Sequence, residues 1–590
     1  MPRALLLRRT LTVLVLVTAS AGVLAPQSAI AAPSWQGPGF QETPIATPAG
    51  EPGAGVLSES YVSIYAPLPA SDGPHPAACD RIGYLRWRAA SGPEDPAQAD
   101  AIFVAQPGVL EGAGAFDQVA RNIVLDALER GYHVEFWGLS RRSNCLIDPT
   151  GIDAAIAARD PQLALDYYYD GEPLGGRTFA GFVSEADAQW LSHVGLAQTM
   201  QDEFSVISQL PTSFRQTRVL CGGHSLGGPL TWAFANWDFS GTGDPALAGY
   251  NQCAGYFSLD SRLELTDSTA QLANPVGVGL DGLSSVVSAA LPYVDVPPIT
   301  PATEFALPLL GMASAWSPAA RSTLVAQLPD DPDFNFSLTF LLTDSWSDFL
   351  AGIPDPRTLR ATNQAVLGNV FSNDTEPIGI LRAGLGAPTG GSLVERNFPV
   401  PYDSPPILMG LLGDAPLVAF DPADANGSGP LYRWLTYRQI TAPLSLPSDP
   451  GVPYETPVQA VTDITQLSND LFASAPALFS EPYFPSRLAI DTADASVGDR
   501  SGSLSALRYS DGIVQHPAAY VDAGDGLAPI LDPGNHLIPP SPAPLVHVVA
   551  PGYHHLDVET AARAQSDGQP ELSSSTLASW MEQVVGPPAP

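Results

Sequence analysis

Short apolar runs, each closed by Gly, Pro, Asp or Gln, recur through the first half of the chain. Tyr61-Val62-Ser63-Ile64-Tyr65 alternates apolar and polar, and Ile82-Gly83-Tyr84-Leu85-Arg86-Trp87 follows it. Period-two alternation predicts strands with one face toward a core. Ala101-Ile102-Phe103-Val104-Ala105, Val219-Leu220-Cys221 and Gly255-Tyr256-Phe257-Ser258-Leu259 are apolar almost throughout. Such runs suit parallel strands covered on both faces. Gly131-Tyr132-His133-Val134-Glu135-Phe136 reads as a further strand. Helical spacing separates them, from Asp117 to Arg130 and from Val194 to Leu210. Strand, helix, strand in this order predicts an α/β domain with a mostly parallel sheet.

From about residue 262 to 500 the pattern changes. Apolar helical stretches alternate with proline-rich joints: Leu283 to Leu291, Phe305 to Trp316, Phe334 to Leu350, Leu431 to Ile440 and Ile464 to Leu478. Strand-like runs are few. Strand signals resume at Ala518-Ala519-Tyr520-Val521 and Leu545-Val546-His547-Val548-Val549, and a last helix is expected near Leu577 to Val585. A separate downstream domain is one reading of 262–500. The late strands favour the other, a mainly helical cap inserted into one core. The expected division is 1–31 targeting segment, 32–55 flexible lead-in, 56–261 first part of the core, 262–500 cap and 501–590 second part of the core. Residues 146–190 carry Tyr167, Tyr168, Tyr169, Phe179, Phe182 and Trp190. These suit either a pocket mouth or the core of an extra hairpin.

Charge and targeting narrow the setting. The formal net charge is −35 and every fixed basic side chain is arginine, since the sequence holds no lysine. An acid surface of this size repels nucleic acid and anionic membrane surfaces, so neither is expected as a partner. Arg3, Arg8 and Arg9 precede an apolar stretch from Leu11 to Leu24, and Ala29-Ile30-Ala31 offers a small-x-small cleavage site. This predicts a signal peptide cut after Ala31, and secretion. No other long uninterrupted apolar run is present, because Asp414 and Pro416 break Leu408 to Phe420; no stable membrane anchor is expected. An oxidising compartment lets Cys79, Cys145, Cys221 and Cys253 form two disulfides in any of three connectivities, although Cys221 and Cys253 also suit small buried residues.

The candidate chemistry centres on Gly223-His224-Ser225-Leu226-Gly227. An apolar run leads in, and the helix-compatible Leu230-Thr231-Trp232-Ala233-Phe234-Ala235 leads out. A Gly-x-Ser-x-Gly turn between strand and helix holds its serine in a strained conformation, so the flanking positions must lack bulk. With Gly228, the run resembles the Gly-His-Ser-Leu-Gly-Gly elbow of α/β-hydrolase lipases and esterases. That resemblance implies the fold, a serine nucleophile at Ser225, and the order Ser, Asp/Glu, His for a triad. Asp525, with Pro529 four residues on, resembles the family's acid loop; Asp522 and Asp260 compete with it. His555-Leu556-Asp557 resembles a lipase His-Leu-Asp signature and favours His555 over His554 as the base. His224 is expected to pack beside the nucleophile.

The same resemblance places an oxyanion loop at Pro107-Gly108-Val109-Leu110, where the usual His-Gly is replaced by Pro107-Gly108. The amides of Leu226 and Val109 are the expected donors, with Leu110 as the second choice for the latter. It also makes the strands beside Cys79 and Cys145 neighbours, which favours pairing those two. The activity implied is cleavage of a small-molecule or lipid carboxylic ester through an acyl-enzyme, with no cofactor or metal. A peptidase or amidase with the same triad, a polyester depolymerase, and a non-catalytic binding protein on this scaffold are the alternatives.

Overall fold

The computed structural model describes residues 39–270, 291–401, 416–539 and 544–588, apart from positions 426 and 567. The expected signal peptide lies outside the described residues, as does the helix expected at 283–291 except for its last residue.

Among the described residues, nine strands form the central sheet: β1 (Gln41–Ile45), β2 (Leu57–Tyr65), β3 (Arg81–Ala89), β4 (Ala101–Gln106), β5 (Val134–Leu139), β6 (Val219–His224), β7 (Gly255–Leu259), β8 (Ala518–Ala523) and β9 (Leu545–Ala550). Their spatial order is β1-β2-β3-β5-β4-β6-β7-β8-β9. The first four pair antiparallel, and every ladder from β5 onward is parallel. Side chains of β4 show how the sheet is covered on both sides. Ile102 and Val104 join one core with Met200 and Ile207 of α2 (Leu196–Ile207) and Leu230 of α3 (Gly227–Ala235). Phe103 and Ala105 join the other, with Val119 and Ile123 of α1 (Asp117–Glu129) and with Trp580 near the C-terminus. An unbroken apolar run is therefore required by burial on two faces.

Strand β1 corrects the reading of 32–55 as a wholly flexible lead-in. Gln41–Ile45 pairs with β2 along its length. It is an edge strand, the place in a sheet that tolerates its Pro44.

Between β7 and β8 the chain departs from the sheet and then returns beside β7. Here it forms α4 (Ala306–Trp316), α5 (Pro332–Leu342), α6 (Asn363–Phe371) and α7 (Ile464–Asp470), among shorter turns of helix. Among its described residues it also contains three two-stranded antiparallel ladders, more strand than expected. The stretch Leu431 to Ile440 is one of them: Arg433–Thr436 pairs with Gly386–Thr389, and Trp434 is buried against Gly368. The stretch Phe334 to Leu350 is two helices, because Asp331 and Ser345 each cap a separate N-terminus. The helix starting at Ile464 ends at Asp470 rather than continuing to Leu478.

Cys79 and Cys145 form a disulfide, as do Cys221 and Cys253. The aromatic group of residues 167–190 packs on itself and belongs to a buried cluster, with Tyr168 edge-on to Phe179 at 5.1 Å between centroids. Among the described residues, no helix is long and apolar enough to cross a membrane.

Candidate active site

Ser225 follows β6 with φ +52° and begins the turn into α3. Neighbouring backbone holds the turn. Ser225 N–H donates to the Leu259 carbonyl at 3.1 Å, and Ser261 Oγ donates to the Ser225 carbonyl. A Cβ on Gly223 would lie 2.5 Å from the Gln106 carbonyl, and one on Gly227 only 2.1 Å from it. The two glycines are thus required by the close approach of β4 to the turn. Ser225 is 1 % exposed and its Oγ has no hydrogen-bond partner among the described residues.

His555 lies in the loop after β9 and is 1 % exposed. Its Nδ1 hydrogen bonds Asp260 Oδ2 at 2.6 Å. Asp260 follows β7 directly, with φ +40°, and is fully buried. Its Oδ1 accepts from the amides of Ala523 (3.1 Å) and Ala528 (3.0 Å), and its Oδ2 from that of Leu527 (2.7 Å). Burial pushes the Asp260 carboxyl up, but the bond and charge of His555 and these amides outweigh it and hold the group below its ordinary value.

The carboxylate that meets His555 is therefore not that of Asp525. The Asp525 side chain is exposed, and its N–H donates to the Tyr553 carbonyl at 2.9 Å. The loop after β8 supplies amides to Asp260 instead of supplying a carboxylate to His555. Gly526 makes this possible, since a Cβ there would lie 2.3 Å from Asp260 Oδ2. Asp522 is engaged elsewhere, by Arg262 and by His547 at 2.8 Å. A strand-tip Asp after β7 was visible in the sequence. What the sequence lacked was any sign that the β8 loop turns its amides toward it.

The Pro107-Gly108 turn passes against the serine, for a Cβ on Gly108 would lie 3.0 Å from Ser225 Cβ. Glu111 Oε2 takes the Gly108 amide at 2.6 Å. Arg141 donates to the carbonyls of Pro107, Gly108 and Glu111, and pairs with Glu481. No protein acceptor among the described residues takes the amide hydrogens of Val109 or Leu226. Leu110 has φ +61°.

His224 bridges the elbow to both loops. Its Nδ1 bonds Glu111 Oε2 at 2.9 Å, and Glu559 Oε2 lies 3.1 Å from the same nitrogen. Burial pulls the imidazole pKa down, but the two carboxylates raise it to about 10. Glu111, His224 and Glu559 bring their ligand-type atoms within 4.8 Å of one another. His224 Nδ1 occupies that space, hydrogen-bonded to Glu111 and paired by charge with Glu559. Neither Glu111, Glu559 nor Arg141 belongs to a recognisable motif, which is why the sequence did not reveal them. His554 is buried, and its amide donates to Asp557 Oδ2 at 2.7 Å.

Ser225 and His555 line one cavity of about 170 Å³. Its walls are largely apolar: Val109 and Leu110 at the turn, then Leu307, Leu310, Phe334, Leu338, Leu342 and Phe371 from the segment between β7 and β8.

No protein-family profile and no curated protein matches the chain. Among solved structures it is similar to a Sulfolobus solfataricus protein described as a candidate lipase, at 13% identity and a TM-score of 0.40, covering 92% of this chain and 99% of that one. A monoglyceride lipase variant from Saccharomyces cerevisiae follows at 12% and 0.29, covering 85% and 92%. Epoxide hydrolase VrEH1 from Vigna radiata shows 11% and 0.32, covering 85% and 94%. Identities and scores this low say nothing of activity or substrate. Strand order, the parallel run from β5 to β9 and the strained serine turn between β6 and α3 carry the assignment on their own: the chain has the α/β-hydrolase fold.

Proposed function

We propose that the protein is a secreted serine hydrolase that cleaves carboxylic esters through an acyl-enzyme. Ser225 is the nucleophile, His555 the general base, and Asp260 the carboxylate that fixes the base. The observation that carries this reading is the 2.6 Å bond between His555 Nδ1 and Asp260 Oδ2. It commits Nδ1 to the carboxylate and leaves Nε2 for the serine proton, in a cavity both residues line. The amides of Leu226 and Val109 stabilise the tetrahedral oxyanion. Water then attacks the acyl-enzyme with His555 again as base.

Apolar walls favour the acyl part of an ester over a charged peptide. Burying a chain on Leu and Phe contributes about 0.8 kcal/mol per methylene, whereas a peptide would leave its amides unpaired there. Two disulfides suit the oxidising compartment to which a signal peptide would deliver the chain.

A panel of p-nitrophenyl esters of rising acyl length, run beside aminoacyl p-nitroanilides, tests the reading. Ester turnover that rises with acyl length is expected. Turnover of the anilides alone would make the enzyme a peptidase, and inertness to both would leave a binding protein.

A further inference from the structure

Four buried carboxyl groups meet away from the proposed active site. Glu51 comes from the segment before β2, Glu59 from β2, Asp117 from the start of α1, and Asp470 from the end of α7. All are 4 % exposed or less. Among the described residues, the cation that touches them is Arg121, which pairs with Glu59 and Asp117. One guanidinium against four carboxylates leaves a large uncompensated charge, and burying such charge is costly.

The neutral donors do not close the gap. Trp87 Nε1 and Asn469 Nδ2 serve Asp117 at 2.9 Å and Glu51 at 2.6 Å. Gln118 Nε2 points at Glu51 (2.7 Å), Asp470 (3.0 Å) and Asp117 (3.5 Å) together. Glu51, Asp117 and Asp470 each bring an oxygen within 4.8 Å of the others. Two buried acceptors in the same group have no donor among the described residues: Asp470 Oδ2 and Gln118 Oε1, on residues 1 % and 0 % exposed. Burial, reinforced by the neighbouring carboxylates, raises Glu51 to about 7 and Asp470 well above its ordinary value.

We infer that Glu51, Asp117 and Asp470 form a binding site for a calcium ion, which displaces the Gln118 amide nitrogen from among the three carboxylates, the amide turning over to present its orphaned oxygen as a further ligand. The donor set is oxygen alone, which selects a hard cation. A divalent ion offsets two of the surplus charges and gives the orphaned oxygens a partner. It would also tie together three distant stretches. Asp470 lies shortly before Leu478 and Phe479, whose carbonyls accept from Gly114 at 3.1 Å and Gly112 at 2.8 Å, close to the Pro107-Gly108 turn. The ion is structural, so its test does not depend on the proposed activity.

The full chain is dialysed against EGTA, then titrated with CaCl2 by calorimetry, and its unfolding is followed at pH 5 and pH 7.5. One calcium per chain is expected at pH 7.5, with a Tm rise of roughly 2–5 °C at a hundredfold excess over Kd. Binding should weaken at pH 5, where protons compete for the carboxylates. Asp470→Asn and Glu51→Gln should each lose the calcium. As a measurement needing no variant, terbium emission excited through tryptophan should appear, because Trp87 touches Asp117, and CaCl2 should quench it. Absence of calcium binding at millimolar CaCl2, or stoichiometric binding that survives both substitutions, would overturn the site. Stability that falls with rising pH identically with and without CaCl2 would show that the carboxyls hold protons instead.

Discussion

His224 Nε2 lies 3.0 Å from the backbone carbonyl of His555, and the two imidazole rings sit 4.4 Å apart between centroids. A carbonyl only accepts, so Nε2 carries hydrogen. Nδ1 faces two carboxylates and carries hydrogen too. The ring is a buried cation against the proposed base. Burial and this neighbouring charge hold the His555 pKa below its ordinary value, against the pull of Asp260. His224→Gln removes the cation and leaves Glu111 and Glu559 behind. The acid limb of the kcat/KM profile should therefore move to higher pH. An unmoved limb with only a uniform loss of rate would reduce His224 to a packing role.

Ser225→Ala removes the proposed nucleophile. Turnover of an ester that the wild type accepts should fall on the order of a million-fold, the scale of the loss when subtilisin is stripped of its triad serine. Folding should be unaffected, as the hydroxyl makes no hydrogen bond among the described residues. Circular dichroism and steady-state kinetics on one preparation check both halves.

Asp260→Asn and Asp525→Asn separate the acids. The first should cost about four orders of magnitude in kcat, as loss of the orienting carboxylate does in the trypsin-type triad. The second changes an exposed side chain and should leave kinetics unaltered. Comparable losses in both variants would contradict the assignment to Asp260.

Gly227→Ala puts a methyl 2.1 Å from the Gln106 carbonyl, backbone that has nowhere to go. A destabilisation of about 1–3 kcal/mol or more is expected, together with loss of activity as the turn shifts. Urea unfolding measures the first and ester turnover the second.

Glu203 is buried, with one hydrogen bond from Gln106 Nε2 at 2.9 Å, and burial pushes its pKa from 4.5 to about 8. A carboxyl raised on folding binds its proton more tightly in the native state. Its contribution is present in full below pH 4.5 and is lost as pH rises through about 8. Glu203→Gln removes that dependence. The variant should gain on the wild type in Tm between pH 5 and 8, and equal Tm profiles would show the group to be solvated.

Periodicity and local sterics determined a good deal by themselves. Apolar runs buried on both faces announced the strands β4, β6 and β7. The Gly-x-Ser-x-Gly turn announced Ser225, because the strain of such a turn is written in residues two positions away. What the sequence left open were relations between segments far apart. β1 is polar and held by an edge pairing rather than by its own apolar pattern. Arg433–Thr436 became strand because a partner at Gly386–Thr389 lay alongside. The partner of His555 was decided by which carboxylate the folded chain surrounds with amides. Asp525 and Asp260 look alike in sequence, and only the packing of the β8 loop onto the tip of β7 buried one and left the other in solvent. Hydrogen bonds and burial act across space, so a residue's role in them is fixed when the chain closes on itself.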